Sequence, residues 1–244
     1  MITNSGAGTS VDEVASRLYR ISTPIPPSAI PPYGFSFNQY LAVDDEPLLF
    51  HTGPRRMAGL VREAIAAVMP VEKLRWIGIS HVEADECGGL NELLAAAPQA
   101  APVCGRIGAM VSVEDLADRP PRALGDGEVL RTGRRELVWV DAPHFPHGWD
   151  CGYLYDRTAA TLFCGDLFTQ PGEATGSALT QADVFTPSEG LRRNLDYFSG
   201  TRRAPQLVEK LAQLEPRLLA CMHGYAWEGD GAALIRGLGE ALGG

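Results

Sequence analysis

The stretch ISHVEADECGG, residues 79–89, packs His81, Glu83, Asp85 and Glu86 into six residues directly behind the apolar run 74–79. Folded inward without a cation, these groups would repel one another severely, so the loop either faces water as an acidic patch or holds metal. In an extended segment the i, i+2, i+4 spacing points His81, Glu83 and Asp85 to one side, while Glu86 begins the turn into Gly88 and Gly89. All five histidines (His51, His81, His144, His147, His223) fall just after apolar runs, as does Asp166. If those runs are strands, their ends deliver the side chains to one rim, where open α/β folds usually place sites. A lone histidine in such a position is most often a satisfied core or surface residue. Together, His81, Glu83, Asp85, Glu86, His147, Asp166 and His223 supply three imidazoles and four carboxylates, enough for two metal ions sharing a bridge. No thiolate is placed as a ligand and oxygen donors outnumber nitrogen, which favours iron or manganese over zinc.

The elements that must carry these residues can be read from pattern. Residues 1–32 are polar, then proline-rich, and read as an irregular lead-in with one short helix at 11–19. A hairpin is expected from 35–43 and 47–51 around Asp44-Asp45-Glu46, then a helix over 57–69 and a strand at 74–79. Next come a helix after Gly89, a strand at 102–104, a helix or turn at 107–116 and a loop rich in Arg, Pro, Gly and Asp. Strands follow at 128–131, 136–141, 152–155 and 160–164, helical spacing at 191–198 and 204–214, a strand at 218–221 and a closing helix at 231–242. Strand hairpins and interposed helices in each half suggest two sheets covered by helices on their outer faces, with 33–244 as a single domain.

Bulk properties narrow the function classes. The 244 residues carry 45% hydrophobic side chains, enough to fill a sizeable core. A net charge of −9 argues against nucleic acid or an anionic membrane as main partner, and the short arginine pairs, such as Arg134-Arg135, read as solvated surface. The N-terminus lacks a signal-peptide pattern and no apolar run is long enough to span a bilayer, so a cytoplasmic protein is expected. Five scattered cysteines without C-x-x-C fit reduced thiols. Cys164/Asp166 and Cys221/His223 stand at i, i+2 and on strands would share a face. A thiol role beside the metals is one reading of this, and small buried residues the commoner one.

The motifs resemble the metallo-β-lactamase-fold diiron module of flavodiiron proteins, in the form of a stand-alone oxygen-binding diiron protein. That family's pattern is H-x-E-x-D-H, a histidine followed three residues later by Asp, an Asp in G-D and a histidine in H-G. Here stand H-V-E-A-D-E at 81–86, H-G-W-D at 147–150, F-C-G-D at 163–166 and M-H-G at 222–224, with FNQYLAVDDEPLLFHTG at 37–53 similar to the family's opening hairpin. Zinc hydrolases of the same fold use H-x-H-x-D-H, from which Glu83 departs. The resemblance implies an α+β fold, a four-layer αββα sandwich, with two iron ions for which manganese or zinc could stand in. His81, Glu83 and His147 would hold one metal, Asp85 and His223 the other, and Asp166 would bridge them. Position 86 is histidine in the family and Glu86 here; position 51 is aspartate in the family and His51 here. As a ligand, Glu86 would complete the neutralisation of two divalent ions and lower the second metal's reduction potential; turned outward, it would leave that metal weakly held. His144 is a candidate to orient a carboxylate or shuttle a proton, set against a plain loop histidine.

The expected function is therefore that of a non-haem diiron protein binding or reducing O2 or NO. The sequence carries neither a G-x-G-x-x-G signal nor a rubredoxin cysteine set and ends about 20 residues after His223. FMN is thus expected only through a partner protein, with electrons from a separate flavin or rubredoxin-type reductase, or else a role as oxygen sensor. The resemblance further implies a homodimer. Two alternatives stand beside it: a metal-dependent hydrolase of the same fold, with a metal-activated water as nucleophile, and a binding module that has lost its metal.

Overall fold

A computed structural model describes residues 1–243. Its first half builds one sheet from strands β1 (Ile2–Asn4), β2 (Thr9–Ala15), β3 (Leu18–Ile25), β4 (Phe35–Ala42), β5 (Leu48–Phe50), β6 (Trp76–Gly78), β7 (Ala101–Gly105) and β8 (Arg122–Leu124), lying side by side in chain order. The first five are antiparallel neighbours; β5 to β8 are parallel. Parallel neighbours need crossovers. These are supplied by α1 (Ala58–Ala66), by α2 (Ala84–Cys87) with α3 (Leu90–Ala96), and by α4 (Arg106–Gly108), a π-helical turn Ala109–Val113 and α5 (Glu114–Leu116).

The second sheet comprises β9 (Val129–Arg131), β10 (Glu136–Asp141), β11 (Gly152–Asp156), β12 (Thr161–Gly165), β13 (Leu179–Thr180), β14 (Leu218–Cys221) and β15 (Ala226–Glu228), in the order β13-β15-β14-β12-β11-β10-β9. Helices α6 (Phe185–Leu195), α7 (Ala204–Ala212) and α8 (Gly231–Gly243) belong to this half. No described helix is long and apolar enough to cross a membrane.

The central strands of both sheets are buried on both faces, so they read as continuous apolar runs whose successive residues point to opposite sides. Leu48 and Phe50 face the second sheet while Leu49 faces the first half's helices; Phe163 faces the first sheet while Leu162 and Cys164 face the second half's helices. The inter-sheet core, from Leu18, Tyr40 and Trp76 through Trp139, Leu154 and Leu218, is flanked by two helix-facing cores, which makes the arrangement a four-layer αββα sandwich.

The N-terminal expectation is corrected. Residues 1–25 are not an irregular lead-in with a helix at 11–19 but three strands of the first sheet, and irregular chain is confined to 26–34. Val11, Val14 and Leu18 have helical spacing because the sheet is buried on both sides: Val11 packs toward the helices, Val14 and Leu18 toward the other sheet. Helical spacing at 191–198 also proves misplaced. The helix is α6, and its start is fixed by Asp183 Oδ1, which accepts the backbone N–H groups of Phe185 and Thr186. Arg135, expected on the surface, is buried against Asp156, whose carboxylate is fully enclosed.

Candidate metal centre

The loops after β6, β10, β12 and β14 meet at one rim of the sandwich and bring their histidines and carboxylates together. Ligand-type atoms of His81, Glu83, His147 and Asp166 all lie within 4.8 Å of one another, as do those of Glu83, Asp85 and Glu86. The two carboxylate oxygens of Asp166 face opposite ways. Oδ2 lies 3.4 Å from His81 Nε2 and 3.2 Å from His147 Nε2, whereas Oδ1 lies 3.3 Å from His223 Nε2. Glu83 Oε1 is 3.1 Å from His147 Nε2, and Asp85 Oδ2 is 3.4 Å from His223 Nε2. Asp166 thus has His81 and His147 beside one oxygen and His223 beside the other.

Each imidazole presents Nε2 to the cluster. His147 Nδ1 donates to the Tyr197 carbonyl at 3.1 Å and His223 Nδ1 to the Ser36 carbonyl at 2.8 Å; a carbonyl only accepts, so both Nδ1 atoms carry the proton. The loops are tied to each other as well: Val82 N donates to Asp150 Oδ2 at 3.0 Å, binding the 81–86 loop to the one carrying His147. Asn38, on β4, donates to the carbonyls of Cys221 and Gly224, and Tyr40 donates to that of Cys221, so the first sheet grips the end of β14 that carries His223. Gly224 has φ +94°, and a Cβ there would meet Gln170 at 2.5 Å.

The electrostatics follow from this crowding. Burial alone would raise Asp166, yet hydrogen bonds from His147, His223 and His81 hold its carboxyl well below the usual range. Burial would lower His147 and His223, yet Asp166 with Glu83 pushes His147 up to about 10, and Asp166 with Asp85 pushes His223 up to about 9. Glu86 goes the other way: burial, then Asp166 and Asp85, raises it well above a normal carboxyl.

Glu86 is fully enclosed, and neither of its oxygens has a hydrogen-bond partner. It therefore turns inward, with Oε1 3.8 Å from His81 Nε2. The local backbone explains this. The extended segment ends at Glu83, and Asp85 and Glu86 lie in the first turn of α2, so the expected strand-like alternation through Asp85 gives way to a helical turn. Nor do the glycines make a left-handed turn: Gly88 has φ −60° and Gly89 φ −90°. A Cβ on Gly88 would meet Arg55 N at 2.8 Å, so this glycine admits close backbone approach. A cation suits the donor set. Four carboxylates converge, two orphaned oxygens are sealed from water, and His81 Nε2 and His147 Nε2 face each other at 3.1 Å.

Two sequence readings do not carry over. Cys164 and Cys221 pack in the helix-facing core and belong to neither metal-competent group, because the strand phase breaks at Gly165, where φ is +50° and the β12–β14 register shifts. His144 is exposed and is not among the residues the cluster gathers. Sequence reasoning missed the residues that line the mouth of the site. Phe35, Thr169, Leu195 and Tyr197 join Asp85, His147, Asp166 and His223 around a cavity of about 160 Å³. The Tyr197 hydroxyl donates to the Asp166 carbonyl at 3.1 Å. Tyr197 lies two residues beyond α6 and has no local signal in the sequence.

Residues 35–224 match the model of the family described as ODP family beta lactamase. The chain is 25% identical over 209 residues to a rubredoxin-oxygen oxidoreductase of Megalodesulfovibrio gigas, covering 81% of this chain and 50% of that protein. It is 24% identical over 212 residues to an anaerobic nitric oxide reductase flavorubredoxin of Salmonella arizonae, covering 83% and 43%. It thus spans half or less of these curated relatives. Among solved structures, the rubredoxin oxygen:oxidoreductase of Desulfovibrio gigas superposes with TM-score 0.83 at 20% identity, covering 96% of this chain and 62% of that one. A fragment of putative diflavin flavoprotein A 5 from Nostoc sp. gives TM-score 0.81 at 16% identity, covering 96% and 95%. The sandwich is that of the metallo-β-lactamase-type core of flavodiiron proteins.

Proposed function

The chain belongs to the ODP family of β-lactamase-fold proteins, and on that premise we propose that it is a non-haem diiron protein that binds or reduces O2 or NO. The observation that carries the proposal is the division of ligand-type atoms about Asp166, with His81, Glu83 and His147 on one carboxylate oxygen and His223 with Asp85 on the other. Glu86, whose ligand-type atom lies within 4.8 Å of those of Glu83 and Asp85, would join Asp85 in the second group, whose metal would then be held through Asp85, Glu86, Asp166 and His223. Iron bound there supplies redox chemistry toward a diatomic ligand.

The chain's own residues supply position and an apolar lining. Nδ1 donation to Tyr197 and Ser36 aims the Nε2 lone pairs of His147 and His223 at the cluster. Phe35, Leu195 and Tyr197 give the cavity apolar walls, suited to a small uncharged ligand. Redox turnover needs electrons from a donor such as a separate flavin or rubredoxin-type reductase, FMN entering with that partner; without a donor the same centre serves as an oxygen sensor. The relatives' names, rubredoxin-oxygen oxidoreductase and nitric oxide reductase flavorubredoxin, support both the ligand class and the donor class.

Elemental analysis after expression in iron-replete medium tests this reading. Iron is expected, with a visible absorption band that changes on reduction and again on exposure to air. Zinc together with esterase activity would overturn it in favour of a hydrolase.

A further inference from the structure

His147 and His223 have their ring protons placed by carbonyl acceptors, but His81 does not. Its Nδ1 lies 2.9 Å from the hydroxyl of Ser80, a group that can donate or accept. What Ser80 does is decided one step further back, at His51.

His51 follows β5 with φ +65°, is buried, stacks on Phe50 with 4.2 Å between ring centroids, and anchors its backbone N–H on the Gly78 carbonyl at 2.8 Å. Burial holds it neutral, with its pKa down at about 3, so one ring nitrogen carries a proton and the other a lone pair. Two contacts say which. Nδ1 lies 3.1 Å from Met222 Sδ, a thioether that can only accept, and Nε2 receives the backbone N–H of Ser80 at 3.4 Å. The proton is on Nδ1. Nε2, 2.9 Å from Ser80 Oγ, therefore accepts the Ser80 hydroxyl proton, and Ser80 Oγ is left to accept from His81 Nδ1.

We propose that His51 is a positioning residue which, through Ser80, fixes the proton of His81 on Nδ1 and so turns the Nε2 lone pair of His81 toward the metal centre. The order is His81 Nδ1–H to Ser80 Oγ–H to His51 Nε2, with His51 Nδ1–H closing on Met222 Sδ. The opposite order would set His51 Nε2–H against the backbone N–H of Ser80, turn the Nδ1 lone pair to the Met222 thioether, and leave His81 protonated on Nε2, inside the cluster. Where the similar family places a carboxylate, this chain thus sets the tautomer with a neutral acceptor, and adds no further buried carboxyl to Glu86 and Asp166. The inference rests on His81 being a ligand of the proposed centre, but its first test does not depend on any metal.

Histidine-labelled, chelated protein is examined by nitrogen NMR, which distinguishes protonated from lone-pair ring nitrogens. His81 is expected with Nδ1 protonated; protonation at Nε2 overturns the proposal. Ser80→Ala and His51→Ala are expected to mix the two tautomers and to weaken metal retention at this position ~10–100-fold, as loss of such supporting bonds commonly does. His51→Gln, whose side-chain amide oxygen reaches the position of Nε2 and can accept from Ser80, is expected to restore both. An unchanged tautomer in a folded Ser80→Ala protein, or failure of folded His51→Gln protein to restore it, contradicts the relay. A correct tautomer in a protein that binds no iron would retain the relay and refute the diiron reading instead.

Discussion

A carboxyl group sealed from water with no hydrogen-bond partner is costly for a fold to keep, and Glu86 is such a group. Its inward orientation disposes of the alternative in which it points to solvent. If it ligates the second metal, replacing it with leucine has effects of opposite sign in the two forms of the protein. The chelated Glu86→Leu protein should gain about 1–3 kcal/mol in denaturant unfolding, because an unsatisfied buried polar group is gone. The same variant should retain one metal per chain where the parent retains two. An unchanged metal ratio would remove Glu86 from the ligand set.

At the scale of elements, the centre depends on grip between the two sheets. His223 lies just past β14, but the chain there is held from β3 and β4. Arg20 Nη2 donates to the Gly224 carbonyl at 2.7 Å, Asn38 Nδ2 to the same carbonyl at 2.7 Å and to that of Cys221 at 3.0 Å, and Tyr40 to Cys221 at 2.8 Å. Asn38→Ala removes two of these hydrogen bonds and leaves each carbonyl a single side-chain donor, Arg20 at Gly224 and Tyr40 at Cys221. It should cost about 1–3 kcal/mol of stability and loosen metal at the His223 position more than at the His81 position, read by chelator competition. Equal loosening of both would mean that the grip is general packing rather than a support for His223.

For the molecule as a whole, crowded charge makes stability depend on pH when metal is removed. His147 and His223 titrate at about 10 and about 9 in the folded chain, above their ordinary 6.5. Raised pKa values mean that the folded state binds more protons, so their contribution is full below pH 6.5 and is lost as pH climbs toward 9 and 10. Glu86, also raised, acts in the same sense from lower pH. His51, held down at about 3, opposes them only below pH 6.5. The melting temperature of chelated protein should therefore fall between pH 6.5 and 9, while metal-loaded protein, whose ligands have already given up their protons, should change less. A flat or rising melting curve for the chelated protein across that window would contradict the charge arrangement.

Much of this molecule is legible in one dimension. Strands β10 and β14 begin and end where their apolar runs say they should, and the H-x-E-x-D, H-x-x-D, G-D and H-G motifs name the residues that meet, because side-chain type and local spacing fix which groups can bind metal. The first three strands were not legible, since a sheet buried on both faces gives Val11, Val14 and Leu18 the spacing of a helix. Nor was the direction of Glu86, which depends on α2 starting at Ala84, nor the wall from Tyr197, nor the contact between His51 and Ser80, which joins the ends of neighbouring strands β5 and β6. The sequence by itself determined which histidines and carboxylates can gather at one rim and the layered fold, as both follow from residue chemistry and period. Only the tertiary structure decided which donors are sealed from water and which proton each imidazole keeps, because those depend on partners brought close by strand pairing and by the packing of one sheet on the other.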